Sequence, residues 1–297
     1  MKDKIITRRH FLRFSAFVPL TAAFPWRKGI FFKEAFSQRA RVVLIRDKEA
    51  LLGFKKPNPK VIQKMLDEAV AALLSENDIL KAWQKLVEPS DIVGIKTNVW
   101  RFLPTGVEVE QAIKKRVMEV GVPESNIGID DRGVLRNPIF KKATAIINAR
   151  PARTHYWAGM GSCLKNYIQF VPVPSAYHHD SCADLAKIWN LPLVRGKTRL
   201  NILVMLTPLF HGIGPHHYNN KYIWEYKGLI VGQDPVAVDS TGLRILQAKR
   251  RQFFGRERAL QTPAKHIFLA DTKYHLGVSN PDQIELIKLG WKEGVLI

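Results

Sequence analysis

The chain is predicted to be α/β, a mostly parallel sheet covered by helices, on three observations. Short β-branched runs recur along it, segments of helical period separate them, and strand and helix alternate as they do in crossover folds. The first run, Arg41 to Arg46, reads as a buried strand. Asn58-Pro59 then offers an N-cap and a first-turn proline, and Val61, Ile62, Met65, Leu66, Ala69, Val70 and Leu73 follow at helical spacing. Asp91 to Lys96 is the second expected strand, Val107 to Val120 a helix ended by Gly121, and Asn126 to Asp130 the third strand. Thr144 to Asn148 is expected as the fourth strand, and Leu200 to Leu206 and Gly228 to Val231 continue the series. Helices are expected near Ser181 to Trp189, Pro235 to Gln247 and Pro281 to Leu289.

Ahead of this body, Thr7-Arg8-Arg9-His10-Phe11-Leu12-Arg13 leads into an apolar stretch from Phe14 to Phe24. Paired arginines, an apolar pair and a further basic residue are the order of a twin-arginine export signal. The apolar stretch is about eleven residues, whereas a spanning helix needs about 20. Residues 1–37 are therefore expected to be a signal or uncleaved anchor and 38–297 the α/β domain, with the twin-arginine translocase as a partner and the periplasm or cell envelope as the destination. Ala35-Phe36-Ser37 is the best small-x-small candidate for cleavage.

The sequence has 297 residues and a formal charge of +20. Removing the leader still leaves 38 basic and 24 acidic residues, a balance of +14. Such a field favours a small anionic ligand, and membrane-surface association is compatible with it. The basic residues are scattered in short clusters (Lys114 to Arg116, Lys141 and Lys142, Lys249 to Arg251) with no nucleic-acid-binding motif beside them, which argues against nucleic acid. Only Cys163 and Cys182 are present, and an iron–sulfur cluster needs about four cysteines, so none is expected. A disulfide and two buried free thiols are both open readings of that pair.

Four stretches put chemistry at strand ends or in loops. Lys96-Thr97-Asn98 follows an apolar strand, where an ammonium could meet an anion. His155, expected in a loop, is followed by Gly159 and Gly161, which allow close backbone approach, and then by Lys165 and Asn166. Histidine suits proton transfer near neutrality, and a desolvated lysine can act as base or nucleophile. The loop from His211 to Asn220 holds Gly212, Gly214 and Pro215, with His211, His216 and His217 as ligands or proton carriers. Adjacent histidines diverge on an extended chain, so a permanent zinc site is not expected, and His155 with His211 is the remaining metal-ligand pairing. Finally Asp234-Pro235 reads as an N-cap, while Asp239 lies further into an apolar helix and is a candidate third catalytic group.

Ile92 to Asn98, His155 with Gly159 to Asn166, Gly212-Ile213-Gly214-Pro215, and Asp234 to Asp239 together resemble the DUF362 family of uncharacterised proteins, over about Val42 to Leu246. The resemblance implies no settled activity. Some members carry ferredoxin segments, whose cysteines this chain lacks. The family pattern places an acidic residue after the strand preceding the glycine–proline loop, and here Met205 stands there. More locally, the spacing of His155, Gly159 and Lys165 is similar to a stretch of the lactate racemase family. That similarity implies a nickel pincer nucleotide held by Lys165, with His155 as metal ligand or base. The functional expectation is an enzyme using His155, Lys165 and Asp239 on a small anionic substrate, with Lys96, Asn98, Gly159, Gly161, Asn166, Gly212, Gly214 and Asp234 around the ligand. Non-catalytic ligand binding, or an accessory role in the cell envelope, is the alternative.

Overall fold

A computed structural model describes residues 39–212 and 218–297. The elements run β1 (Ala40–Arg46), β2 (Leu51–Gly53), β3 (Lys56–Pro57), α1 (Pro59–Leu73), α2 (Ile79–Gln84), β4 (Val93–Lys96), α3 (Val107–Glu119), β5 (Ile127–Asp130), α4 (Pro138–Lys142) and β6 (Ala145–His155). They continue with β7 (Gly159–Gly161), α5 (Cys163–Asn166), α6 (His179–Cys182), β8 (Thr198–Leu209), β9 (Gly228–Gly232), α7 (Pro235–Phe254), α8 (Lys265–Thr272) and β10 (Ile284–Gly290).

One sheet has the order β10-β1-β9-β8-β6-β4-β5, with β7 paired to β6 and with β2 and β3 forming a separate hairpin. Pairing is parallel for β1–β10, β4–β5, β4–β6 and β6–β8, while β9 and β7 run antiparallel to their neighbours. Alternating side chains feed two cores, as the two-residue period requires. Val43, Ile45, Ile147 and Ala149 pack with α1, α2 and α3 on one face. Val42, Leu44, Ile146 and Leu203 pack with α5, α7 and α8 on the other.

Local chemistry explains most boundaries. Asn58 and Pro59 open α1 as expected. Asp234 accepts hydrogen bonds from the amides of Val236 (2.8 Å) and Ala237 (3.0 Å) at the start of α7, which closes on Gly255 at φ +68°. That helix runs to Phe254, well past Gln247.

Three expectations are corrected. Residues 284–290, expected in a helix, form β10 parallel to β1. The Asn280-Pro281 pair that signals a helix start initiates only a single 3-10 turn, after which the sequence pairs as a strand along the sheet edge. The helix expected near 181–189 is broken: inside α6 the residues Asp180, Ser181 and Cys182 take left-handed conformations (φ 44°, 58° and 61°), and a 3-10 segment follows at Leu185–Asn190. Three non-glycine residues in that region cost about 1–2 kcal/mol each, a penalty no sequence pattern anticipates. Lastly, the strand expected at 144–148 continues as β6 to His155, so His155 stands at a strand end. Pro151 is tolerated inside it because the pairing with β8 shifts register between Pro151 and Arg153.

Candidate anion-binding site

The chain leaves β4, forms β5 on one side of it, and returns to form β6 on the other. The carboxyl ends of these three parallel strands thus flank a topological switch point, where α/β sheets gather ligands. A cavity of about 210 Å³ opens there. At about 30 Å³ per water, it has room for about seven waters or a small metabolite. Its walls include Asn98 after β4, Asp131 after β5, Arg150, Arg153 and His155 from β6, and Lys165 and Asn166 from α5.

Charge is the dominant feature of this cavity. Lys96 is fully buried, donates to Asp131 Oδ1 (2.5 Å) and to the Thr97 carbonyl (2.7 Å), and lies 3.4 Å from Asn166 Oδ1. Burial pulls its pKa down to about 8 against the opposing pull of Asp131, and Asp131 also accepts the Val99 amide at 3.0 Å. The one carboxylate in the wall is therefore already engaged. Arg150 and Arg153, 3% and 5% exposed, have no carboxylate or hydrogen-bond partner among the described residues, and the Nε atom of each is buried and unsatisfied. Arg153 instead lies 4.1 Å above the Trp100 ring. Buried cations with no ion pair in contact are costly, a cost that a bound anion would offset.

Lys165 completes the cation excess. Its ammonium nitrogen is buried with no oxygen acceptor among the described residues, its neighbour being the Cys182 thiol. Burial first, and then Arg150 and Arg153, depress its pKa to about 7, only partly offset by the neighbouring Cys182 thiol. Near neutral pH a large fraction is free amine, the form that acts as nucleophile or base. His155 is held well below its ordinary pKa by burial and by Arg153 and Lys165. Its Nδ1 accepts the Trp157 amide at 3.3 Å, so the neutral ring carries its proton on Nε2 as a donor. Trp157 in turn stacks on His178, ring centroids 4.2 Å apart.

Polar contacts behind the cavity fix these groups. Asn166 donates to Asn148 Oδ1 (2.8 Å), and Asn148 donates to Asn201 Oδ1 (3.0 Å), tying α5 to β6 and β8. Asp239, fully buried, accepts from the Ser162 hydroxyl and from the amides of Cys163 and Leu164. It caps the short helix that carries Lys165 and does not line the cavity, so its role is positioning rather than contact with a ligand.

The sequence-derived candidates separate accordingly. His155, Lys165, Asn98 and Asn166 converge on the cavity, and Lys96 lies directly behind it. Gly161 is placed so that a Cβ would lie 3.0 Å from Arg150 Nη2, 3.3 Å from Arg153 Cγ and 3.4 Å from His155 Cδ2. Gly159, at φ +69°, faces the backbone of residues 262–264 and serves packing. Asp234 is a helix cap, its second oxygen taking the Val278 amide at 2.9 Å. Gly212 and His211 border a separate narrow crevice that also touches His155, and Gly214, His216 and His217 lie outside the described residues. Cys163 and Cys182 are both buried and free.

The metal pairing of His155 with His211 meets an unfavourable field. Arg250 contacts His211 Nδ1 at 2.9 Å, and Arg153 and Arg150 flank His155. Among the described residues no group of three His, Cys, Asp or Glu side chains is assembled for a metal. A nickel pincer nucleotide does not fit: this cavity is smaller than the ~300–1,000 Å³ pockets that take drug-sized ligands, and cations crowd the place a metal would occupy. The sequence reading missed Arg150, Arg153 and Asp131. Arg150 and Arg153 were concealed because the strand was expected to end at Asn148, and only the extension of β6 to His155 reveals that they are walls of the site.

No curated protein and no solved structure matches the chain. Residues 106–244, which hold β5, β6, α5 and most of the cavity wall, match the family model described as Domain of unknown function (DUF362).

Proposed function

We propose that this is a DUF362 protein of the cell envelope, exported by the twin-arginine route, and an enzyme that acts on a small anionic substrate through the amine of Lys165. The observation that carries this reading is the buried Lys165 Nζ, with only the Cys182 thiol beside it, next to two guanidiniums that have no ion-pair partner among the described residues. Arg150 and Arg153 hold a carboxylate or phosphate, Lys165 attacks a carbonyl or removes an acidic proton, and His155 donates its Nε2–H to the oxygen where charge develops. Export rests on the order of residues Thr7 to Arg13.

The test uses glyoxylate, a small anionic aldehyde, with cyanoborohydride and peptide mapping. Lys165 is expected to be alkylated ahead of every other lysine at about pH 7, and inorganic phosphate should protect it. Labelling confined to surface lysines, unaffected by phosphate, overturns the proposal.

A second reading, anion capture without turnover, is favoured by the His155 tautomer. With Nδ1 engaged by the Trp157 amide, the ring offers a donor and no free base. Phosphate binding by a protein whose Lys165 is unreactive would select it.

A further inference from the structure

We infer that the β2–β3 hairpin and the adjoining aromatic rim dock this protein on an anionic lipid surface. The inference is independent of the chemistry assigned to the cavity. At the hairpin tip Leu52 is 61% exposed and Phe54 53% exposed, on either side of Gly53, and neither packs into the hydrophobic cores. Soluble surfaces seldom present two large apolar side chains side by side on a projecting turn, and such patches mark interaction sites.

Charge selects the partner. Residues 47–64 contain five lysines (48, 55, 56, 60 and 64) and two acids (Asp47, Glu49), on a chain of net charge +20. Lys48, Lys56 and Lys60, close to the hairpin in sequence, are exposed. An apolar tip with a lysine collar suits an interface where acyl chains lie beneath acidic headgroups: the tip enters the hydrocarbon boundary while the ammonium groups remain with the phosphates. Among the described residues no helix is long and apolar enough to span a membrane.

The hairpin is wired to the mouth of the cavity. Lys55 Nζ donates to the Phe102 carbonyl (2.6 Å) and to the Tyr218 hydroxyl (2.9 Å). Phe102 and Tyr218 stack at 4.7 Å, and both pack against Trp100, a wall of the cavity. Exposed Val99 precedes Trp100 in sequence, and exposed Arg101 stands between Trp100 and Phe102. Tip, rim and cavity mouth are thus joined by direct contacts, and docking brings the mouth close to the headgroups.

Flotation of the full chain with vesicles tests this, comparing phosphatidylcholine alone with phosphatidylcholine mixed with phosphatidylglycerol. The same measurement is made on the Leu52→Ser/Phe54→Ser double variant. Both proteins carry the same N-terminal segment, so their difference reports the hairpin. Both positions are exposed, so unchanged circular dichroism and melting are expected of the variant. The expected result is preference for the anionic vesicles, loss of binding as salt rises, and roughly ten-fold weaker partitioning of the variant. Equal partitioning of parent and variant overturns the inference. So does equal binding to neutral vesicles, or a dimer in solution that the double substitution dissociates, which would assign the patch to a second copy of the chain.

Discussion

The carboxylate of Asp239 accepts the Ser162 hydroxyl at 2.6 Å, across 77 residues of sequence. Through the same two oxygens it takes the amides of Cys163 and Leu164, so α7 holds the first turn of the helix that presents Lys165. Asp239→Ala removes the acceptor for three buried donors and is expected to cost about 3–5 kcal/mol. A denaturant titration measures it, and a loss under 1 kcal/mol would mean that the helix start is held by other contacts.

The same carboxylate makes a pH prediction. Burial raises Asp239 to about 6, the first of its influences, while Ser162 and the two amides pull the other way. The fold therefore favours the protonated acid. Stability from this group is full below about pH 4, the unfolded value, and is lost as pH rises through about 6. Asp239→Asn cannot ionise, so its melting temperature should gain on the parent's between pH 4 and 7. A difference that does not change with pH would show that Asp239 does not titrate in this range.

Lys165→Met should leave the fold intact or make it more stable. Among the described residues only the Cys182 thiol neighbours the Lys165 ammonium, so its removal strands no charged partner and relieves repulsion with Arg150 and Arg153. The parent has a further signature. Because the amine titrates at about 7, its rate of reductive alkylation should rise through that pH and level off, while ordinary surface lysines keep accelerating toward pH 10. A Lys165 rate that tracks the surface lysines would place the ammonium in solvent.

Anions should stabilise the protein through Arg150 and Arg153. Phosphate at about 100 times its Kd should add about 2.7 kcal/mol, read as a rise in melting temperature. Arg150→Gln/Arg153→Gln should abolish that rise while matching or exceeding the parent's stability without phosphate, because neither guanidinium is in an ion pair among the described residues. A double variant that still responds to phosphate would move the anion site elsewhere on this basic surface.

The sequence discloses the parts of the site that depend on local chemistry. Asn58-Pro59 and Asp234-Pro235 announce their helices because capping is satisfied within a few residues. His155 and Lys165 were visible because their side chains are unusual beside Gly159 and Gly161. What was hidden depends on distant partners. The strand character of Ile284–Gly290 is set by pairing with β1, more than 200 residues earlier, and overrides the helix start at Asn280-Pro281. Asp239 was expected as a third catalytic group, but its partners come from residues 162–164, so its direction could not be read from α7 alone. Arg150 and Arg153 look like ordinary basic residues until β6 is seen to continue past Pro151 at a shift of register.

Gly161 offers the sharpest separation between function and stability. A methyl group there would meet Arg150 Nη2 at 3.0 Å, Arg153 Cγ at 3.3 Å and His155 Cδ2 at 3.4 Å, all within the site, and the closest of them is the end of a long side chain. Gly161→Ala should therefore shift the arginines by a few tenths of an ångström, weakening phosphate binding about ten-fold while costing under about 1 kcal/mol in stability. Gly159→Ala is the control for packing. Its Cβ would lie 2.3 Å from the Thr262 carbonyl oxygen, at a backbone φ of +69°, and neither backbone can yield cheaply. That variant should lose about 2–4 kcal/mol. Calorimetric titration with phosphate beside a denaturant melt distinguishes the two. If Gly161→Ala proves as destabilising as Gly159→Ala, the arginines are clamped by packing, and the cavity is a rigid structural void rather than an adjustable anion site.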